Sequence, residues 1–224
     1  MNALLLAQFA DMSLDWEWLF EHSSEIQSYL LQHILLTATA VGLGFVLALP
    51  MSLASSRWPH LYTPLLNFTG VLFTIPSLAL FVLLIPFTGL GPDTALIGLT
   101  IYTLLILLRN TVEGLRGVPQ EVRESAQAMG YSRRRQLFLV ELPLAIPVII
   151  AGLRIATVTT IGLITITVLI GQPSLGRLFA DGFALLFATP IYAALVLSVV
   201  LAVTADLLLV GFQRLVTPWT RDRR

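Results

Sequence analysis

Five apolar segments, each long enough to cross a lipid bilayer, occupy most of this 224-residue chain. A membrane-spanning helix needs about 20 apolar residues, and the segments lie at residues 29–54, 61–87, 94–112, 144–170 and 190–212. Backbone groups in hydrocarbon need internal hydrogen bonds, and no alternating ten-residue pattern indicates a barrel, so the segments are predicted to be helices. The sequence therefore predicts an all-α integral membrane protein with five transmembrane helices.

The distribution of arginine predicts the orientation of the spans. Cytoplasmic loops are enriched in Lys and Arg, and all thirteen basic residues here are Arg. Eleven of them lie after the first span, between the end of the third span and the fourth span, or in the C-terminal tail, and the exceptions are Arg154 within a span and Arg177 between the last two spans. We therefore predict an external N-terminus and a cytoplasmic C-terminus. The predicted regions are an external segment (residues 1–28), a transmembrane domain (29–213) with a cytoplasmic loop (113–143), and a cytoplasmic tail (214–224).

Proline divides the second span and marks one group of candidate path residues. A proline inside a helix removes a backbone hydrogen bond, so Pro76 is predicted to kink or split this span. The candidates for a translocation path are Thr74, Pro76 and Ser77 at the break, and Thr157 and Thr160 in the fourth span. Such hydroxyls also bond to their own helix or hold neighbouring helices together, and that structural role remains an open alternative.

Two charged residues within the spans are predicted to meet. Arg154 lies about ten residues into the fourth span, and Asp206 lies late in the fifth, which runs in the opposite direction. Charges inside a membrane are usually paired or reach water. We predict an intramembrane ion pair, and we favour a structural role for it over a gate or a pathway element.

The cytoplasmic loop predicts a helix–turn–helix. Residues 119–129 favour a helix that starts at Pro119, and Gly130 suits the left-handed position that ends it. Ser132 is a candidate N-cap for a second short helix, which is predicted to run to Glu141 before the chain turns into the fourth span. The arginines at 133–135 would be attracted to anionic lipid heads.

The loop resembles the EAA motif of permease subunits of binding-protein-dependent ABC importers, whose pattern is E-A-A-x3-G-x9-I-x-L-P. The sequence reads ESA at 124–126, Gly130, Val140 and LP at 142–143, with only the middle Ala and the Ile replaced. In that family the segment docks in a groove of the ATP-hydrolysing subunit and couples ATP binding to alternating access. The resemblance implies that the coupling residues are Glu124, Ser125, Ala126, Gly130, Leu142 and Pro143.

Two further stretches resemble the osmoprotectant branch of this family, which imports glycine betaine, choline, carnitine and related solutes. They are residues 74–91 and 101–119, within a match that extends over about 29–211. One departure is IGQPSLG at 170–176 in place of the more usual IGAGGLG, which is expected to stiffen a loop facing the binding protein. Permeases for methionine and other amino acids share the loop and the five-span layout, so they remain an alternative.

The resemblance also implies a location and a set of partners. We expect a multi-pass protein of the bacterial cytoplasmic (inner) membrane that pairs with a second copy or a similar permease. A separate ABC ATP-binding subunit is expected to bind ATP and Mg, and an extracytoplasmic solute-binding protein to deliver the solute. No nucleic-acid partner is expected.

The chain itself is expected to catalyse no reaction and to bind no cofactor or metal. The phosphate-binding pattern GxxxxGK[ST] is absent, and there is no Lys to supply it. A membrane enzyme would need clustered polar groups at one depth, and the absence of Cys excludes a thiol nucleophile. A secondary transporter or channel would be expected to contain inverted repeats, and none is visible.

Overall fold

The computed structural model describes residues 14–219, and within that range the chain is helical and forms no strand. The ends of the predicted external segment (1–13) and cytoplasmic tail (220–224) lie outside the described residues. The helices are α1 (Trp16–Glu21), α2 (Ser23–Arg57), α3 (Tyr62–Thr74), α4 (Ser77–Thr88), α5 (Pro92–Arg116), α6 (Gln120–Ala128), α7 (Arg133–Gln136), α8 (Leu142–Ile164), α9 (Gly176–Leu185) and α10 (Ala188–Val216).

Four helices of the described chain are long and apolar enough to cross a membrane. They are α2, α5, α10 and one helix that runs from Arg133 through α8 to Ile164, referred to below as the long helix. A fifth span is obtained when the bent pair Pro59–Thr74 and Ser77–Thr88 is counted as one. The all-α membrane prediction is thus confirmed, with four spans or five according to how that pair is counted.

The predicted break at Pro76 separates α3 from α4. Ile75 has φ −65° and ψ 128°, and Pro76 has φ −55° and ψ 135°, so neither residue continues a helix. The ring of a proline disfavours the helical conformation of the residue before it, which explains the extended Ile75. The carbonyl of Pro76 then accepts a hydrogen bond of 2.9 Å from the N–H of Leu80, in the first turn of α4.

The long helix corrects the expectation that the chain turns at Leu142-Pro143. A π-helical turn, Leu137–Glu141, joins α7 to α8 without a break in the helix. The N–H of Leu142 donates to the carbonyl of Leu137, five residues earlier. A proline ring inside a regular α-helix clashes with the carbonyl four residues before it. The wider π turn places Pro143 in the helix without that clash.

The fourth span also ends earlier than predicted. The α-helix stops at Ile164, and a 3-10 turn, Thr167–Ile170, follows it. The hydroxyls of Thr167 and Ser174 both donate to the carbonyl of Ile164, at 2.7 and 3.2 Å. These side chains take the place of the backbone donors that another helical turn would supply.

The described chain packs as two compact units, each with its own apolar core. The first unit comprises the described residues up to Ala40 together with Pro76–Leu99 and Val158–Thr204. The second unit comprises Val41–Ile75, Thr100–Thr157 and the described residues from Ala205 onward. Cores of the first unit include Phe81, Leu99, Ile164 and Leu175, and cores of the second include Leu107, Leu115, Ala145 and Ala156.

Glycines permit close approaches within each unit. In the second unit, a methyl group on Gly152 would lie 2.5 Å from the Cβ of Asn110. In the first unit, a methyl group on Gly176 would lie 2.0 Å from the carbonyl oxygen of Thr165. Membrane helices gain little from the hydrophobic effect when they associate with one another, so close packing at small residues contributes much of their attraction.

We expect Gly176→Ala to destabilise the first unit, because its methyl group would overlap the backbone of Thr165. Overpacking of this kind costs about 1–3 kcal/mol. Gly162→Ala is the matched control, since nothing lies within 4 Å of a methyl group at that position. Thermal unfolding of the purified protein should give a lower midpoint for Gly176→Ala alone. Equal midpoints for the two variants would contradict the close contact.

Candidate functional site

The predicted helix–turn–helix is formed by α6, a left-handed glycine and α7. Pro119 is the N-cap residue, so α6 begins at Gln120, one residue later than predicted. Gly130 has φ 80°, as expected for the residue that reverses the chain after a helix. The N–H of Tyr131 then donates to the carbonyl of Ala126 at 3.1 Å. Ser132 accepts from the N–H of Arg135 at 3.5 Å, so it is the N-cap of α7.

The six residues matched to the EAA motif divide into an exposed and a packed group. The exposed residues are Glu124, Ser125 and Gly130, and the packed residues are Ala126, Leu142 and Pro143. Ala126 is 1% exposed, whereas the neighbouring Met129 is 69% exposed. Leu142 packs against the core around Leu115. One face of α6 thus packs on the protein, and the other is exposed.

Glu124, one of two exposed acids of α6, is held by its own helix. Glu124 accepts a hydrogen bond of 3.1 Å from the side-chain amide of Gln120, one turn earlier. The hydroxyl of Ser125 donates to the carbonyl of Glu121 at 2.7 Å. Neither side chain forms a longer-range contact within the described residues. The carboxylate of Glu124 therefore remains available at the surface.

A polar network that was missed in the sequence lies beneath α6. Arg123 donates to the carbonyl of Leu115 at 2.6 Å and lies 3.8 Å from the carboxylate of Glu141. Gln136 donates to the same carboxylate at 2.9 Å, and Gln127 donates to Gln136 at 3.4 Å. The network connects α6 to the end of α5 and to the start of the long helix. The one signal in the sequence was the acid Glu141, directly before Leu142-Pro143 and beside a span, which marks one member of the network but none of its partners.

Arg154 and Asp206 are brought together, as the sequence predicted. Nε of Arg154 donates to one carboxylate oxygen at 2.6 Å, and a terminal guanidinium nitrogen donates to the other at 2.8 Å. About a third of each side chain is exposed, 34% for Arg154 and 30% for Asp206. Bidentate pairs of this kind are both strong and directional. The pair joins α8 to α10 within the second unit and neutralises two charges in spanning helices.

The candidate path residues differ in exposure. Thr74 is exposed and donates to the carbonyl of Val71 at 2.7 Å, and Pro76 and Ser77 lie at the break between α3 and α4. Thr157 is buried and donates to the carbonyl of Leu153 at 2.8 Å. Thr160 is 1% exposed. The hydroxyls of Thr74 and Thr157 thus bond to carbonyls of their own helices, as in the structural alternative. A role of these residues in a translocation path stays a prediction.

Most of the chain matches one known protein family. Residues 40–222 match the family model described as "Binding-protein-dependent transport system inner membrane component". The chain belongs to this family. It is therefore an inner-membrane permease component of a binding-protein-dependent transport system, and the predicted family and location are confirmed.

Curated relatives match along most of the chain. It is 35% identical over 187 residues to the glycine betaine/carnitine/choline transport system permease protein OpuCB of Bacillus subtilis, covering 84% of this chain and 86% of the relative. It is 34% identical over 206 residues to the osmoprotectant import permease protein OsmW of Salmonella typhimurium, covering 90% of this chain and 96% of that protein. The ABC importer permease predicted from the sequence is thereby confirmed.

Solved transporters share the fold at low sequence identity. An inward-facing MetNI methionine ABC transporter chain aligns with a TM-score of 0.77 at 24% identity, covering 86% of this chain and 96% of that one. A chain of an amino acid ABC transporter crystallised with histidines aligns with a TM-score of 0.76 at 20% identity, covering 90% and 99%. At these identities the likeness establishes an ABC permease fold.

We expect single replacements of the Arg154–Asp206 pair to be more harmful than an exchange of the two residues. Asp206→Asn leaves the arginine charge without its partner in a spanning helix, and Arg154→Gln does the same for the carboxylate. Each should lower the yield of folded protein by about threefold or more, whereas the double exchange Arg154→Asp with Asp206→Arg should restore part of it. Monodisperse protein recovered by size exclusion provides the measurement.

Arg109 and Glu113 provide the control for that experiment. Their contact is 3.1 Å, but the side chains are 65% and 52% exposed on one face of α5. Exposed pairs contribute about 0–1 kcal/mol, so Arg109→Gln should leave the yield nearly unchanged. If the double exchange lowered the yield of folded protein by the combined effect of the two single replacements, the ion pair would not explain why Arg154 and Asp206 are needed.

Proposed function

We propose that this permease imports a small osmoprotectant, such as glycine betaine, choline or carnitine, in an ATP-driven transporter. The observation that carries the proposal is the set of curated relatives named for these solutes, which are 34–35% identical over 84–90% of the chain. A permease for methionine or another amino acid is the second candidate, favoured by the fold likeness to two amino-acid transporters. A secondary transporter or channel ranks below both, because the family is binding-protein-dependent.

In this proposal the transporter contains two permease chains, a separate ATP-binding subunit and an extracytoplasmic solute-binding protein. The family description supports the binding protein. Helix α10 buries only Thr189, Pro190 and Ala194 within the described chain, so it has apolar surface for lipid or a second permease. ATP and Mg bind to the ATP-binding subunit, and this chain catalyses no reaction.

The orientation proposed for the permease is an external N-terminus and a cytoplasmic C-terminus. The support is the concentration of arginine in the loop that contains α6 and α7. In this orientation the loop faces the compartment that holds ATP. The proposed membrane domain is residues 29–213, with the coupling loop at 113–143 between spans three and four.

Helix α6 is proposed to dock on the ATP-binding subunit through its exposed face around Glu124. In this proposal two ATP-binding subunits form a dimer that closes when ATP binds, and this closure would displace α6. The network of Arg123, Glu141 and Gln136 would carry the displacement into the start of the long helix, because Gln136 and Glu141 are part of that helix. No flexible loop intervenes between α7 and the span, so movement at the docking surface would be transmitted with little loss.

The proposed translocation path includes the break around Pro76 and the hydroxyls of Thr157 and Thr160. Non-helical backbone at membrane depth is tolerated where it lines a cavity or is covered by protein. Thr74 and Ser77 flank this break and belong to the same proposal. Arg154 and Asp206 are proposed to brace α8 against α10, rather than to contact the solute.

Reconstitution with candidate partners tests the proposed function. The permease, the ATP-binding subunit and the binding protein encoded beside it would be placed in liposomes, and uptake of labelled glycine betaine, choline, carnitine, methionine and histidine measured. We expect uptake of at least one osmoprotectant that requires ATP and all three components. Uptake of methionine or histidine alone would support the amino-acid alternative. Uptake by the permease without the ATP-binding subunit would support a secondary transporter or channel.

Gly130→Val is expected to impair coupling while leaving membrane insertion near normal. A β-branched residue at φ 80° strains the backbone by about 1 kcal/mol or more, or redirects α7. No side chain lies within 4 Å of the added Cβ, so the defect would arise from the backbone. Solute-stimulated ATP hydrolysis of the assembled transporter should fall about fivefold or more, which is the factor that about 1 kcal/mol represents in an equilibrium constant.

Gly130→Asn is the matched control for this prediction. Asparagine adopts the left-handed conformation more readily than other residues with a Cβ, so its ATP hydrolysis should lie between that of the wild type and Gly130→Val. Membrane yield should be similar for all three proteins. Normal stimulated hydrolysis by Gly130→Val would exclude a coupling role for this turn.

A further inference from the structure

A basic cleft opens in the second unit between the C-terminal end of α2, helix α6 and the first turns of the long helix. Its volume is about 940 Å³. Four arginines line it, Arg57, Arg123, Arg133 and Arg134, together with one acid, Glu141. The lining therefore carries three more positive charges than negative ones.

Most of these arginines have no acidic partner among residues 14–219. The only ion pair within the cleft is the contact of 3.8 Å between Arg123 and Glu141. Nε of Arg123 is buried without a hydrogen-bond partner in the described chain. The guanidinium of Arg57 lies 5.7 Å from the centre of the Trp58 ring, and Arg133 and Arg134 are exposed. The cleft therefore holds guanidinium groups that are free to bind an anion.

The remainder of the lining is largely apolar. Its apolar residues are Pro50, Leu53 and Ala54 of α2, Trp58, and Leu137 and Phe138 of the π turn. Trp58 and Phe138 are both about half exposed, at 49% and 54%. Tryptophan is enriched where membranes meet water. A soluble anion would use only the basic part of this lining, whereas a phospholipid has an anionic head for the arginines and acyl chains for the apolar wall.

We propose that the basic cleft binds one anionic phospholipid. Its phosphate lies among Arg57, Arg133 and Arg134, and an acyl chain packs on Leu53 and Phe138. Guanidinium groups bind phosphate through paired hydrogen bonds, which gives this site geometric specificity beyond a general attraction to a charged surface. The proposal concerns the second unit alone and holds whichever solute the transporter carries.

Lipid titration of the purified full-length chain tests the proposal. Protein in a zwitterionic detergent would be titrated with phosphatidylglycerol or with phosphatidylcholine, and bound lipids counted by native mass spectrometry. We expect one phosphatidylglycerol to bind in preference to phosphatidylcholine. Arg57→Gln and Arg134→Gln should each weaken its binding about fivefold. Binding of phosphatidylcholine with equal affinity would overturn the proposal.

Arg135→Gln is the matched control, because Arg135 has the same charge and is exposed on the same helix but does not line the cleft. It should change the affinity for phosphatidylglycerol less than twofold. Equal losses for Arg134→Gln and Arg135→Gln would mean that a diffuse surface charge attracts the lipid, and would overturn the site. All variants should unfold at the wild-type temperature, because each change is made at the surface.

The apolar wall is tested separately from the arginines. Phe138→Ala should weaken binding of phosphatidylglycerol about threefold or more, because part of a large buried apolar contact is lost. The same variant should leave the weak binding of glycerol 3-phosphate unchanged, since that probe has no acyl chain. If glycerol 3-phosphate bound the wild-type protein as tightly as the lipid does, the cleft would be a site for a soluble anion.

Discussion

The structure depends on one constraint, which is that backbone groups in hydrocarbon must find hydrogen-bond partners within the protein. Long continuous helices meet this constraint, and where they are interrupted other groups supply the partner. At the break between α3 and α4, the hydroxyl of Tyr102 donates to the carbonyl of Ile75. At the end of α8, the hydroxyls of Thr167 and Ser174 donate to Ile164. The interruptions are therefore supported, and they can persist as fixed features of the fold.

The same constraint explains why α7 and α8 form one continuous helix. A loop between α7 and α8 would leave several backbone groups unpaired at the edge of the apolar region. The π turn keeps those groups bonded while it accommodates Pro143. It also places Gln136 and Glu141 where both meet beneath α6. A requirement of the backbone thus creates the rigid connection on which the proposed coupling depends.

Sequence reasoning succeeded where a local rule was sufficient. Apolar runs gave the positions of the spanning helices, Pro76 gave the break, and Gly130 gave the left-handed turn. The proximity of Arg154 and Asp206 followed from two antiparallel helices and the cost of an isolated charge. The network around Arg123 could not be predicted in this way, because it joins residues 5 to 18 positions apart through packing that no local pattern specifies. The π turn was missed because a proline near a helix start usually indicates a boundary.

Charge is neutralised in one part of the second unit and not in another. In the second unit Arg154 and Asp206 neutralise each other in a bidentate pair, so α8 and α10 carry little net charge where they meet. The arginines around α6 and α7 are not neutralised to the same extent, because the cleft has only Glu141 for four guanidinium groups. The cleft therefore carries positive charge that its own lining does not neutralise. Helix α6 contributes Arg123 to the basic cleft, and the next residue, Glu124, is exposed and accepts a hydrogen bond from the cleft residue Gln120, so basic and acidic side chains are neighbours on this short helix.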